Sequence, residues 1–163
     1  MNPSETFDGS LGADDERAIR NLLYSYAERV DAGDFDGVSA LFADAEVFMA
    51  GPDRPAVPGS RVGRVMARFV MLHEGSPRTK HLVDNTLIEP VSVDEVRTRS
   101  VFTVMQAVPG LLPLQAVASG RYHDRFVRGA DGAWRFAERT MLVDAHGDVS
   151  QHLVGSSPTE EAP

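Results

Sequence analysis

The chain has no cysteine, and its 16 lysine and arginine residues are outnumbered by 24 aspartates and glutamates. Without cysteine there is no disulfide framework, thiol nucleophile or thiolate metal site. The net charge of -8 argues against nucleic acid or membrane as a partner, because both are bound through basic patches. The amino-terminal residues MNPSETFDGSLG also lack the basic start and apolar stretch of a signal peptide. We therefore expect a cytoplasmic protein.

Length and composition predict a single domain. A chain of 163 residues is long enough for one sizeable core and too short for two. Polar stretches with glycine and serine at both ends predict a flexible arm over residues 1–12 and a disordered tail over residues 154–163. The domain itself is expected to occupy residues 13–153.

The first half of this domain has the periodicity of helices. In DDERAIRNLLYSYAERVDAGD, apolar side chains recur at steps of three and four, with Asp14 or Asp15 as a cap and Gly33 as the end. A second short helix, DFDGVSALF, begins at the N-cap Asp34, and AEVFMA predicts a short strand. The proline-rich GPDRPAVPGS predicts a loop, and residues 61–73 predict a third helix.

After Gly75 the apolar pattern changes to period two. Four long strands are predicted, over residues 79–91, 95–108, 114–128 and 133–145. Helices followed by consecutive strands imply an α+β domain with a mostly antiparallel sheet. Strong curvature of this sheet around the helices would form a cone with an internal apolar pocket.

Four polar residues stand out against this pattern. Asp31 closes the first helix, where the dipole disfavours a carboxylate by about 0.3–1 kcal/mol, and it lies near the edge of the apolar stripe. His81 and Arg139 lie in predicted strands, and Tyr26 lies within the helix stripe. Each also has a purely structural interpretation: a solvated helix end, a half-buried strand histidine, a salt bridge at a strand edge and a core tyrosine.

Three segments carry a resemblance to a known family. These are IRNLLYSYAERVDAGDFDGVSALFADAEVF, TKHLVDNTLIEP and ASGRYHDRFVRGADGAWRFAERTMLVD. Over residues 13–146 the chain resembles the SnoaL-like branch of the NTF2-like superfamily, which includes scytalone dehydratase, hexachlorocyclohexane dehydrochlorinase and bile-acid 7α-dehydratase. The resemblance implies a cone-shaped fold. In those enzymes an aspartate ending the first helix and a histidine on the first long strand form a dyad, and Asp31 and His81 match these positions.

The same resemblance implies roles for four catalytic candidates. Tyr26 matches a polar residue five positions before the aspartate, and Arg139 matches an arginine on the last strand. His81 would abstract a proton from carbon, and Asp31 would hold its imidazole in the correct tautomer. Tyr26 would donate to the leaving oxygen and Arg139 would stabilise negative charge. The expected activity is that of a lyase, of the dehydratase or dehydrohalogenase type, with no cofactor or metal.

Apolar side chains are expected to line the pocket and bind a hydrophobic, polycyclic or aromatic small molecule. The predicted lining residues are Phe42, Phe48, Met49, Val65, Phe69, Phe102, Val104, Met105 and Leu142. Either the loop 51–59 or the turn 109–113 is expected to cover the pocket mouth or to remain a solvent loop. A homodimer or homotrimer is expected from the family.

Several alternatives to a lyase remain open. One is a polyketide cyclase or isomerase of the same fold, and another is a non-catalytic ligand-binding protein or ring-hydroxylase β-subunit. An epoxide hydrolase would need a second pocket carboxylate, for which Asp84 and Asp144 are candidates. A histidine at position 73, 123, 146 or 152 could also join His81 in a two-histidine site, although none shows a known metal-ligand spacing.

Overall fold

A computed structural model describes residues 9–156 of the chain. The helices are α1 (Ala13–Ala32), α2 (Phe35–Leu41) and α3 (Gly59–Phe69). The strands are β1 (Glu46–Phe48), β2 (Val57–Pro58), β3 (Thr79–Ser92), β4 (Glu95–Val108), β5 (Leu112–Arg128) and β6 (Trp134–His146). The predicted N-terminal arm and C-terminal tail fall mostly on residues 1–8 and 157–163, which lie outside the described residues.

All six strands form one curved, unclosed sheet. Their order across the sheet is β2-β1-β6-β5-β4-β3. The pairing of β1 with β6 is parallel, and every other pairing is antiparallel. Register shifts between Ser119 and Gly120, and again between Arg125 and Phe126, mark bulges that bend the long strands. The predicted α+β class, with a mostly antiparallel sheet around N-terminal helices, is confirmed.

The alternation of side chains along the strands determines which face encloses the core. In β4 the even-numbered residues, such as Val96, Phe102 and Val104, are buried, whereas Arg97 and Arg99 are exposed. This period-two pattern directs one face of the sheet toward the helices. The cavity described below lies on that concave face.

Helix α1 supplies the opposite wall of the core. Its apolar stripe buries Ile19, Leu23, Tyr26 and Val30, as the spacing predicts. The helix ends at Gly33, which adopts the left-handed conformation with φ 73° and returns its N–H to the last turn. This sharp ending leaves the last turn of α1 facing the start of β3.

The predicted cap of α1 was wrong. The N-cap is Gly12, without a side-chain hydrogen bond, and Asp14 and Asp15 lie in the first turn. The Asp15 carboxylate instead accepts hydrogen bonds from Arg128 and Trp134 of the sheet. In contrast, Asp34 caps α2 as predicted, because its Oδ1 accepts the Gly37 N–H at 2.8 Å.

Two elements differ from the sequence prediction. Helix α3 ends at Phe69 rather than at residue 73, because Val70 is extended and forms a β-bridge with Leu153 from beyond β6. The short strand β2, Val57–Pro58, lies within the segment predicted as a loop. Both differences arise from pairing with residues outside the segment itself, which local periodicity does not encode.

The convex face of the sheet exposes several apolar side chains. Leu82 and Val101, which alternate with the cavity-lining residues His81 and Phe102, are exposed on this face. The predicted homodimer or homotrimer stays a prediction, since one chain is described. Within residues 9–156, no helix is long and apolar enough to cross a membrane.

Candidate active site

A cavity of about 680 Å³ opens between the concave face of the sheet, helices α1 and α3, and the segment that follows β6. Its wall is mostly apolar, with Val30, Val65, Phe69, Phe102, Met141 and Val149 among the lining residues. The polar lining side chains are Tyr26, Arg54, His81, Tyr122, His146, His152 and Ser156. Such a size and composition are typical of a small-molecule site. None of the described residues in this lining is an aspartate or a glutamate.

Asp31 and His81 meet where the last turn of α1 faces the start of β3. Asp31 Oδ1 lies 2.6 Å from His81 Nδ1. The other carboxylate oxygen, Oδ2, accepts the backbone N–H of His81 at 2.9 Å, and Oδ1 also accepts from Thr79 Oγ1 at 2.7 Å. The side chains of His81 and Asp31 are only 7% and 11% exposed. Three hydrogen bonds therefore fix the carboxylate behind the imidazole.

The electrostatics of this pair favour an ionised aspartate. Burial alone would raise the pKa of Asp31, but the hydrogen bonds and charge of His81, together with Thr79, hold it below its ordinary value. An ionised carboxylate at Nδ1 favours the imidazole tautomer with its proton on Nδ1. The neutral ring then has its lone pair on Nε2. His81 also lines the cavity, whereas Asp31 does not.

Two tyrosines stand beside His81 in the cavity wall. The Tyr26 ring packs edge-on against His81 and Tyr122, with centroid separations of 6.4 and 5.8 Å. Burial raises the pKa of Tyr26, although the charge of Arg139 opposes it, and burial raises the pKa of Tyr122 well above its ordinary value. Both phenols therefore keep their protons and can donate hydrogen bonds.

Sequence reasoning missed Tyr122. The signal that would have found it is the alternation in GRYHDRF, which directs Tyr122, Asp124 and Phe126 toward the same buried face. The Phe102 ring stacks on the Tyr122 ring, with a centroid separation of 4.4 Å. This stack passes over Gly120, where an added Cβ would lie 2.7 Å from the Phe102 ring and 2.1 Å from the Leu142 carbonyl oxygen.

The structure corrects the prediction that Arg139 faces the pocket. Arg139 is fully buried, does not line the cavity, and pairs with Asp124 through bonds of 2.7 and 2.9 Å. The guanidinium carbon lies 4.1 Å from the Tyr122 ring centroid, 4.3 Å from Tyr26 and 4.9 Å from Phe136. Because Tyr26 and Tyr122 also line the cavity, their rings separate Arg139 from any bound molecule.

The predicted pocket lining divides into two groups. Met49, Val65, Phe69, Phe102 and Val104 line the cavity. Phe42, Phe48, Met105 and Leu142 do not, and are corrected.

Each of the four exceptions has a structural reason. Phe42 is fully buried between Tyr26 and Phe136 in the closed part of the core. Met105 and Leu142 are out of phase with their lining neighbours Val104 and Met141, so alternation directs them to the other face. Phe48 neighbours the fully buried Val47 on the short strand β1 and is likewise out of phase.

The remaining sequence candidates lie at different places. The proline-rich loop contributes Arg54 and Pro55 to the cavity wall, whereas no residue of the turn 109–113 does. Asp84 is exposed and Asp144 pairs with Arg121 outside the cavity, so neither supplies the second carboxylate of an epoxide hydrolase.

Two further histidines share the cavity wall with His81. His146 and His152 line the cavity, whereas His73 and His123 do not. His73 Nε2 lies instead 2.8 Å from the Gln151 carbonyl oxygen. No group of three or more potential metal-binding side chains occurs in the described part of the chain.

Comparison with known proteins places the chain in a family. A family model described as a SnoaL-like domain matches residues 12–140. No protein with curated function matches the sequence significantly. Among solved structures, a protein named "putative scytalone dehydratase" from Novosphingobium aromaticivorans is 26% identical, with a TM-score of 0.64 over 91% of this chain and 95% of the other.

Two other structures are similar. Rv3472, a protein of unknown function from Mycobacterium tuberculosis, is 25% identical, with a TM-score of 0.65 over 82% of this chain and 78% of the other. ActVI-ORFA from Streptomyces coelicolor is 23% identical, with a TM-score of 0.62 over 79% of this chain and 96% of the other, and supports the fold alone.

Proposed function

The chain belongs to the SnoaL-like domain family, and we propose that it is a cofactor-independent lyase of the dehydratase type acting on a hydrophobic bicyclic or larger molecule. The observation that carries this proposal is the 2.6 Å contact between Asp31 and His81 at the wall of an apolar cavity. The fold and relatives support the broader statement of an enzyme that processes a small molecule.

In the proposed reaction His81 is the base. Its Nε2 takes a proton from a carbon next to a carbonyl group, and the electron pair of that C–H bond forms the new double bond as hydroxide leaves the neighbouring carbon. The hydroxide takes up the proton that His81 Nε2 has just removed from carbon and departs as water, which returns His81 to its neutral form. Asp31 stabilises the imidazolium that forms. General acid–base assistance of this kind is typically worth about 10²–10⁴-fold.

The tyrosines and the cavity wall complete the site. The Tyr26 hydroxyl remains protonated and can donate to an oxygen that gains negative charge, whereas the Tyr122 hydroxyl is hydrogen-bonded to Tyr26. The apolar lining excludes water and selects a hydrophobic substrate. The similarity to a protein named as a dehydratase favours loss of water over other eliminations.

A synthetic probe tests the proposal without knowledge of the natural substrate. Purified protein is incubated with 3-hydroxy-1-tetralone, which loses water to give fluorescent 1-naphthol. We expect dehydration by the wild type and its loss in His81→Gln and Asp31→Asn. His123→Gln, which changes a histidine outside the cavity, serves as the matched control.

The same sample in deuterium oxide separates the alternatives. Exchange of the C2 protons without naphthol formation would favour a cyclase or isomerase, since these share the first step. Binding of the probe with neither exchange nor dehydration would contradict the proposed base and favour a ligand-binding protein.

A further inference from the structure

The segment that follows β6 forms one wall of the cavity and carries a histidine that the proposed reaction does not use. Residues 147–156 cross back over the end of α3. There the Met71 N–H donates to the His152 carbonyl oxygen at 2.8 Å, and the Val154 N–H donates to the Phe69 carbonyl oxygen at 2.8 Å. Gln106 Nε2 donates to the Gln151 carbonyl at 2.9 Å. These contacts hold the backbone of His152 in place, and its ring lines the cavity together with His81.

The two ring nitrogens of His152 have different surroundings. Nδ1 is fully buried and has no hydrogen-bond partner among the described residues. The residue as a whole is only half-buried, and its ring reaches the cavity. Because Nδ1 is enclosed, Nε2 at the tip of the ring is the nitrogen left for the cavity.

The location of the proton follows from these surroundings. Burial lowers the pKa of His152 to about 4, reinforced by His81 and opposed by Asp31, so the ring is neutral near pH 7. A neutral imidazole carries one N–H. Either tautomer leaves Nδ1 without a partner, but a buried N–H without an acceptor is rarer in folded proteins than a buried acceptor without a donor. The proton therefore belongs on Nε2, facing the cavity.

We propose that His152 is a substrate-binding residue that donates a hydrogen bond from Nε2–H to a carbonyl oxygen of the bound molecule. The inference rests on the proposed function, because it takes this cavity to be the substrate site. His81 and His152 then present opposite polarity at Nε2: His81 accepts a proton and His152 donates a hydrogen bond. Since the neutral tautomer of His81 has no proton on Nε2, it cannot bind the carbonyl oxygen itself.

A pair of isosteric probes tests this role by binding alone. 2-Acetonaphthone carries a carbonyl oxygen where 2-isopropenylnaphthalene carries a methylene group. We expect the wild type to bind the ketone about threefold to tenfold more tightly, the range of one net hydrogen bond. His152→Phe should abolish this preference, and His152→Gln, whose amide can still donate, should restore part of it. Calorimetric titration measures the affinity of each of the three proteins for both probes.

The outcomes distinguish this inference from the proposed function. An unchanged preference in His152→Phe, equal binding of both probes by the wild type, or no binding of either would overturn the role of His152. Loss of the preference in Tyr26→Phe alone would transfer the role to the tyrosine. Asp31→Asn should lose dehydration and keep the ketone preference, so a failure of the base leaves this test intact.

Nitrogen-15 spectra of histidine-labelled protein supply a second measurement that does not depend on any probe. We expect His152 to carry its proton on Nε2 at neutral pH, and 2-acetonaphthone to shift that resonance. A proton on Nδ1, or a resonance that the bound ketone leaves unmoved, would contradict the inference.

Discussion

Two buried carboxylates in this cone each hold a basic side chain, and only one pair can do acid–base chemistry. Asp31–His81 and Asp124–Arg139 have similar closest contacts, 2.6 and 2.7 Å. The first pair lies at the cavity wall with side chains 7% and 11% exposed, whereas both side chains of the second are fully enclosed. The difference therefore lies in the basic group and its surroundings, not in the distance.

The second pair is sealed by aromatic rings. The faces of Tyr26, Tyr122 and Phe136 cover the Arg139 guanidinium, and its Nη1 has no hydrogen-bond partner in the described part of the chain. Burial opposes the charge, but Asp124 raises the pKa of Arg139 above its ordinary value. Arg139 therefore stays charged, and this pair is structural. An imidazole, in contrast, gains and loses its proton near neutral pH.

The largest expected effect concerns the pair at the cavity. Asp31→Asn should lower dehydration of 3-hydroxy-1-tetralone by about 10²–10⁴-fold, because His81 loses the acceptor that fixes its tautomer. Asp36→Asn, which changes an exposed aspartate in the first turn of α2, is the control and should keep the activity. Equal activity of the two variants would show that Asp31 does not position the base.

The sealed pair should respond in stability instead. Asp124→Asn leaves the Arg139 charge buried without its counterion and should lower the free energy of unfolding by about 3–5 kcal/mol. Asp144→Asn is the matched control, because its pair with Arg121 is about half exposed and solvent screening leaves such a pair little effect on stability. Urea unfolding measures both.

A double substitution sharpens this prediction. Asp124→Leu combined with Arg139→Met removes both charges and should recover much of the stability lost in Asp124→Asn. A double variant no more stable than the single one would show that the loss comes from packing rather than from an unpaired charge.

The packing at Gly120, beneath the stacked rings of Phe102 and Tyr122, predicts a smaller loss of stability than the loss in Asp124→Asn. Gly120→Ala places a methyl group against the Phe102 ring and the Leu142 carbonyl and should cost about 1–3 kcal/mol. Gly12→Ala, whose Cβ would meet only Asp15 at 3.9 Å, should lower the stability by much less than Gly120→Ala. Thermal unfolding compares them, and equal losses would contradict the tight packing at Gly120.

A pH dependence of stability is expected on the cavity side. The pKa of His152 is lowered to about 4 in the folded chain, so between that pH and 6.5 the unfolded chain binds more protons. Stability from this group is fully present above pH 6.5 and falls as the pH drops toward 4. In His152→Phe the urea midpoint should change less with pH over this range than in the wild type. An equal change with pH in the two proteins would contradict a buried, neutral ring.

The fold followed from the sequence because its signals are local. Period-two alternation located β4 at its observed bounds, and the Asp34 cap and Gly33 stop were both as predicted. The missed strand β2 depends on pairing with Glu46–Phe48 across the proline-rich loop, and the early end of α3 depends on Leu153, far along the chain. Local periodicity identifies neither partner.

The candidate site was only partly predictable, for the same reason. The positions of Asp31 and His81 came from a helix end and a strand start that match a family pattern. Arg139 was assigned to the pocket by its match to an arginine on the last strand of the family, but it pairs in the closed core with Asp124 of the neighbouring strand β5. The cross-strand register of Asp124 with Arg139 places the two side chains together, and it depends on a bulge at Ala137, the extra residue of β6 between the pairs Arg125–Glu138 and Phe126–Phe136. His152 lies beyond the last strand, where no periodicity exists to place it.

The tautomer of His81 tests the central claim most directly. Nitrogen-15 spectra of histidine-labelled protein distinguish the protonated from the unprotonated ring nitrogen in the neutral form. We predict that His81 carries its proton on Nδ1, bonded to Asp31, with Nε2 unprotonated toward the cavity, and that Asp31→Asn abolishes this preference. A neutral His81 with its proton on Nε2 in the wild type would contradict the assignment of this residue as the base.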